Sequence, residues 1–115
     1  MIVLAGHFIH TTHEKIADAL STILNPDKLK PKVRVIGEEI DYLDNVWEIY
    51  IYNGEPDYSI YLIQAVCSKG IDVAKVFAEE FGQILKAKNI KYVFEVSEES
   101  ESGDTLGDVF KYKHI

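Results

Sequence analysis

The spacing of apolar residues along this chain switches back and forth between a period of two and a period near 3.6, and few folds accept that succession. Met1 to Ile9 reads as a strand. Thr11-x-x-Glu14 has the spacing of a capping box, in which hydroxyl and carboxylate each satisfy a free backbone amide, and it predicts a helix start. Ile16, Ala17, Leu20, Ile23 and Leu24 continue at helical spacing until Asn25-Pro26, where proline disfavours helix in the residue before it. Lys28 to Lys32, with Pro31, reads as a basic connector, Val33 to Ile36 as the beginning of a strand, and Gly37 to Asn45 as an acidic loop or bulge. Val46 to Tyr52 alternates as a strand. Asn53-Gly54-Glu55-Pro56-Asp57 is turn chemistry, so Tyr58 to Cys67 is expected to return antiparallel. Val73, Val76, Phe77, Phe81, Ile84 and Leu85 mark a second amphipathic helix ending near Asn89. Lys91 to Ser97 is a further strand, and Asp108 to Ile115 is expected at a sheet edge.

A chain of 115 residues is read as one domain, 1–115, able to bury roughly two-thirds of its unfolded surface around one core. Cys67 is the only cysteine, which excludes an internal disulfide and a Cys-x-x-Cys metal or redox pair. A membrane helix needs about 18 or more consecutive apolar residues, and the longest runs are far shorter. The first residues lack a basic region followed by an apolar stretch and a small-residue cleavage site. The expectation is a cytoplasmic protein that meets no membrane.

The order strand, helix, strand, strand, helix, strand resembles the ferredoxin-like split fold. That resemblance implies an α+β, βαββαβ sandwich with antiparallel sheet order 4-1-3-2, both helices on one face and an extra C-terminal edge strand. It implies no function, because this architecture hosts many. Strand alternation then assigns the faces. Leu4, Gly6, Phe8, Trp47, Ile49, Ile51, Tyr61, Ile63, Ala65, Cys67, Tyr92, Phe94 and Val96 are expected to face the helices, together with Ile2. Val3, Ala5, His7, Ile9, Glu48, Tyr50, Tyr52, Tyr58, Ile60, Leu62, Gln64, Val93 and Glu95 would stand on the other face, which is apolar for a surface in water. Such a face is either an interface, with a second copy or another protein, or lies under the C-terminal strand or a long loop.

Charge is segregated along the chain. From Val35 to Ser68 there are seven acids and no lysine or arginine, and from Tyr92 to Phe110 six more acids, again without a base. These stretches hold 13 of the 19 acids in a chain of net charge -7, so the remainder is net basic. An acidic field repels nucleic acid and attracts cationic partners. With the ferredoxin-like order, the two acidic stretches would meet at one end of the sheet as a single rim. The function expected on these grounds is an acidic protein-binding domain, not an enzyme, of the inhibitor or immunity type, neutralising a basic partner protein without a cofactor. Its contact residues would be Glu38, Glu39, Asp41, Tyr42, Asp44 and Glu48, with Glu98, Glu99 and Glu101 on a second arm. Steering charges with aromatic anchors are the usual means of such recognition.

The histidines support a second reading. His7, His10 and His13 lie three apart, but strand geometry points His7 and His10 to opposite faces, so no metal site is expected. His13-Glu14 begins like the zinc-protease pattern His-Glu-x-x-His, yet Ala17 stands where the second histidine belongs. His10-Thr11-Thr12 resembles one half of the duplicated motif of two-histidine phosphoesterases, whose other half is missing. There remains His7 on the first strand, with Glu95 expected on one neighbouring strand and Gln64 on the other. A dimeric ligand-binding or catalytic α+β domain using His7, Gln64 and Glu95 on the open face is therefore the alternative function.

Overall fold

The computed structural model describes residues 1–34, 37–54 and 59–115, with the backbone alone for Pro26, residues 29–34, Gly37 and Glu38. The elements in chain order are β1 (Ile2–Ile9), α1 (His13–Ser21), a short 3₁₀ turn (Pro26–Lys28), β2 (Leu29–Arg34), β3 (Gly37–Leu43), β4 (Trp47–Asn53), β5 (Tyr61–Cys67), α2 (Ile71–Ala87), β6 (Lys91–Glu99) and β7 (Thr105–His114). All strands join one open sheet in the order β2-β3-β4-β5-β1-β6-β7, with every neighbouring pair antiparallel.

The class is α+β, an open antiparallel sheet with two helices. Within it β6-β1-β5-β4 are neighbours in the order expected for the four central strands, and β7 adds an edge strand. The whole is not a clean ferredoxin-like order, because β2 and β3 are inserted between α1 and β4. The segment read as a basic connector is β2, and the segment read as an acidic loop is β3. Alternation explains the difference: Ile40 and Tyr42 are buried, while Glu39 and Asp41, which alternate with them, turn to the opposite face. Pro31 and the lysines of β2 suit an outer edge, where a strand must avoid pairing with other chains. Val35 and Ile36, part of the segment expected to begin a strand, lie outside the described residues.

Both helices cover one face. Ile16 and Leu20 of α1 and Phe77, Phe81 and Leu85 of α2 are buried in the same cluster as Leu4, Phe8, Ile49, Ile63 and Phe94 of the strands. The inward positions are those that alternation predicts, with Ile2 partly buried at the margin. Phe8, Phe81 and Phe94 form the centre, with ring centroids 5.5 to 5.9 Å apart. Gly6 sits on this face where β1 and β6 approach closely, since a Cβ there would lie 1.9 Å from the Val93 carbonyl oxygen.

The helix ends follow local chemistry. Thr12, one residue later than expected, caps α1, its hydroxyl accepting from the Lys15 amide at 3.4 Å. Thr11 is buried and Glu14 lies in the first turn. At the end of α2, Asn89 takes φ 59°, Ile90 N–H donates to the Leu85 carbonyl at 2.8 Å and Asn89 N–H to Lys86 at 3.0 Å. That is a Schellman motif, and Leu85 and Ile90, both buried, supply its apolar contact. Lys86 and Lys88 stand at this C-terminus, where cations complement the helix dipole.

Candidate functional site

Antiparallel register arranges the face opposite the helices into rows that run across the sheet. One row reads Asp41, Tyr50, Gln64, Ala5, Glu95, Lys111 from β3 to β7. The next reads Glu39, Tyr52, Leu62, His7, Val93, Lys113. A third begins Leu43, Glu48, Val66, Val3, Ser97. The face therefore has carboxylates and tyrosines on β3 and β4, with Lys30 and Lys32 of β2 in register beyond them, a middle on β5 and β1 that mixes apolar residues with Gln64 and His7, and lysines on β7. Among the described residues no helix or strand packs over it, and β7 extends the sheet instead of covering it. Tyr58, expected on this face, lies outside the described residues.

The tyrosines are held in place. Tyr50 and Tyr52 stack with centroids 5.0 Å apart and planes 22° from parallel. The Tyr50 hydroxyl donates to Glu39 Oε2 at 2.7 Å, and Gln64 Nε2 reaches the Tyr52 hydroxyl at 3.5 Å. Two open hollows meet at Tyr50 and Glu48. One, of about 460 Å³, has a floor of Val3, Ala5 and Val66 and carboxylates at Glu48 and Glu99. The other, of about 550 Å³, reaches past Asp41 and Leu43 to Asp27 and Lys28. On the β2 side, Lys30 and Lys32 stand in register opposite Asp41 and Glu39.

The residues expected to contact a partner separate into three groups. Glu39, Asp41 and Glu48 come together on the open face, Glu48 exposed and the other two half-buried. Tyr42 and Asp44 are structural. Tyr42 is 2% exposed, and its hydroxyl donates to Asp44 Oδ2 at 2.5 Å. Asp44 Oδ1 also accepts from the amides of Val46 and Trp47, at 2.7 Å each, which locks the turn between β3 and β4. Burial alone would raise the Asp44 pKa, but the bonds from Tyr42, Trp47 and Val46 and the charge of Lys28 outweigh it and hold the carboxyl below the ordinary range. Tyr42 is pushed up, by burial first and by its bond to Asp44 second. Glu98, Glu99 and Glu101 lie at and beyond the end of β6. The side chain of Glu38 is outside the description.

A single acidic rim is not what these positions make. Asp44 and Glu98 do share one end of the sheet, since Trp47, Cys67, Ile2 and Glu98 follow one another across it. They are separated by four strand spacings, about 19 Å, and Glu39 lies about 17 Å further along β3, toward the other end. A strand distributes charges along its length, whereas the expected loop would have gathered them.

In the alternative site Gln64 and Glu95 do lie on the two neighbours of β1, as expected, but two residues out of register with His7. Opposite His7 stand Leu62 and Val93, while Gln64 and Glu95 stand opposite Ala5. All three share the face, but Glu95 forms an ion pair with Lys111 at 3.8 Å. His10 takes φ 52° in the turn after β1, its Nδ1 3.1 Å from Ser59 Oγ, and His13 opens α1. Among the described residues no group of three or more His, Cys, Asp or Glu could hold a metal ion, and no helix is long and apolar enough to cross a membrane. Lys111 and Lys113 are the site residues that sequence reasoning missed. The alternation Phe110-Lys111-Tyr112-Lys113 was their signal, and it assigns a face only once β7 is paired to β6.

Comparison with family models, with curated proteins and with solved structures finds no match to this chain.

Proposed function

We propose that this chain is a protein-binding domain whose uncovered sheet face docks on a basic surface of a partner protein. The observation that carries the reading is the stacked Tyr50–Tyr52 pair, set beside Glu39, Asp41 and Glu48 at the margin of an apolar sheet face. Tyrosine offers a large contact area at small cost in conformational entropy, and a pair already stacked gives up less on binding. The neighbouring carboxylates raise the rate of encounter with a cationic surface and disfavour an acidic one. We read β4-β5-β1-β6 with the two helices as a ferredoxin-like core elaborated by β2, β3 and β7. An inhibitor or immunity-type role is the form of this reading in which the partner is a basic enzyme. The ligand site at His7, Gln64 and Glu95 draws less support, because register sets the latter two beside Ala5 and Lys111 engages Glu95.

The test is an NMR titration of the isotopically labelled chain with an octalysine peptide. Shifts are expected for the amides of Asp41, Glu48, Tyr50, Tyr52 and Gln64. They should weaken as salt rises, since about 0.15 M salt screens exposed charges beyond about 8 Å. Asp41→Lys with Glu48→Lys should reduce the apparent affinity at least about tenfold. Shifts confined to residues 98–104 and the acids of α2, or no shifts at all, would overturn the reading.

A further inference from the structure

We infer that Asn53, at the end of β4, is a site of spontaneous covalent modification, its side-chain amide giving way to aspartate and isoaspartate at a pace set by opening of the β4–β5 hairpin. The inference is independent of any partner for the open face. Asparagine is lost in this way when the main-chain nitrogen of the next residue attacks its side-chain carbonyl carbon, so the residue that follows each asparagine decides its fate. The chain has four asparagines. Pro26 after Asn25 has no amide proton to give up, and Val46 after Asn45 and Ile90 after Asn89 are β-branched and crowd the nitrogen. Only Gly54, after Asn53, offers a nitrogen with no side chain beside it.

The reaction consumes only water. The Gly54 nitrogen, having lost its proton to solvent, forms a bond to Asn53 Cγ, the Cγ–Nδ2 bond breaks, and ammonia leaves with a proton taken from water. Water then opens the five-membered imide at either carbonyl, giving aspartate at position 53 or an isoaspartyl link that routes the backbone through the side chain. Folding opposes the first step. Gly54 N–H donates to the Ile60 carbonyl at 2.7 Å, and Asn53, the last residue of β4, is paired with Tyr61. An amide proton held by a carbonyl is harder to lose than one facing hydroxide. Extended antiparallel backbone, with ψ about +135°, also keeps the nitrogen turned away from the side chain it must attack. Reaction therefore waits for the hairpin end to open, and strand ends open at less cost than the core. The product is not neutral to the fold. Asn53 is half-buried opposite Tyr61, itself 2% exposed, so a carboxylate at position 53 gives up hydration. An isoaspartyl link also adds a backbone atom at the last paired residue of β4 and disturbs the ladder there.

The test is peptide mapping by mass spectrometry of the full chain held in warm, mildly alkaline buffer, with and without denaturing guanidinium, beside hydrogen exchange at the Gly54 amide. In guanidinium, conversion at Asn53 is expected at least about tenfold faster than at Asn45 or Asn89. In the folded chain it should slow at least about tenfold, by a factor within about threefold of the protection of the Gly54 amide, because both reactions pass through the same opening. Asn53→Gln should remove the product, since its ring would need six members. The modified chain, separated by ion exchange on its added negative charge, should melt at a lower temperature than the unmodified chain. Conversion at Asn53 no faster than at Asn45 or Asn89 in guanidinium would overturn the assignment of the site. A folded chain that reacts as fast as the unfolded one, or a slowing unrelated to the protection of Gly54, would overturn control by the hairpin. Equal melting of modified and unmodified chains would overturn the consequence for the fold.

Discussion

On the helix-covered face, inward side chains from Leu4 and Phe8 on β1 to Phe94 and Val96 on β6 are buried, and among the described residues no charged one stands with them. On the other face, the same strands present His7, Gln64, Glu48 and Glu95 among Val3, Ala5 and Leu62, all of them partly or fully accessible. One backbone carries both patterns because successive residues point to opposite sides. The first face specifies the fold, and the second is the one proposed to receive a partner. What the difference teaches is where substitutions should be felt: in folding on one side and in association on the other.

The largest expected effect contrasts the two faces directly. Phe81 is fully buried against Phe8, Phe77 and Phe94, and Phe81→Ala should cost about 3–5 kcal/mol of folding free energy through lost burial and the cavity left behind. Leu62→Ala, on the open face, should cost less than about 1.5 kcal/mol when denaturation is measured at low protein concentration. Equal losses would mean that the open face is covered within the single chain, and the comparison would break.

The two faces were also unequally legible in the sequence. Inward positions on β1, β4, β5 and β6 follow from alternation alone, because one-sided burial makes a slip of register costly. β2 and β3 were not legible. Lysines and Pro31 in one and acids in the other resemble connector and loop, and the burial of Ile40 and Tyr42 that makes β3 a strand depends on α1 and β4 being beside it. The cap of α1 was displaced by one residue because Thr11 and Thr12 are both able to cap. For the candidate site, the membership of the open face was readable, but which residue stands opposite His7 is set by strand pairing, and no local pattern records that.

A smaller effect sharpens the picture of the covered face. Gly82 lies in α2 against the Tyr92 ring, and a Cβ there would meet the tyrosine hydroxyl oxygen at 2.2 Å and Cζ at 2.8 Å. In an exposed helix, glycine to alanine would stabilise by about 1 kcal/mol. Here Tyr92 is 7% exposed and packed 4.6 Å from the Phe94 ring, so it has little room to withdraw. Gly82→Ala should therefore destabilise by about 1–3 kcal/mol. Adding Tyr92→Phe should recover part of the loss in a double-mutant cycle. A stabilising Gly82→Ala would show that this contact is looser than the packing around it.

The smallest effect concerns an acid that belongs to the fold and not to the open face. Asp44 accepts bonds from Tyr42, Val46 and Trp47, and these, with Lys28, overcome the opposing effect of burial and hold its pKa below its ordinary value near 3.8. The native state then binds fewer protons than the unfolded chain in that window. Its contribution to stability is fully present above the unfolded pKa and is lost as pH falls through the lowered native value. Tyr42→Phe removes one of the bonds, so the Asp44 carboxyl should titrate at higher pH, read by carbon NMR of its side chain. Near neutral pH the substitution should cost about 1 kcal/mol, and the cost should shrink once Asp44 is protonated. Glu48, exposed on the open face, makes the contrast: Glu48→Lys should change folding stability by less than about 0.5 kcal/mol. An Asp44 that titrates at or above the ordinary carboxylate value would break the distinction, because it would return that carboxylate to the set available for a partner.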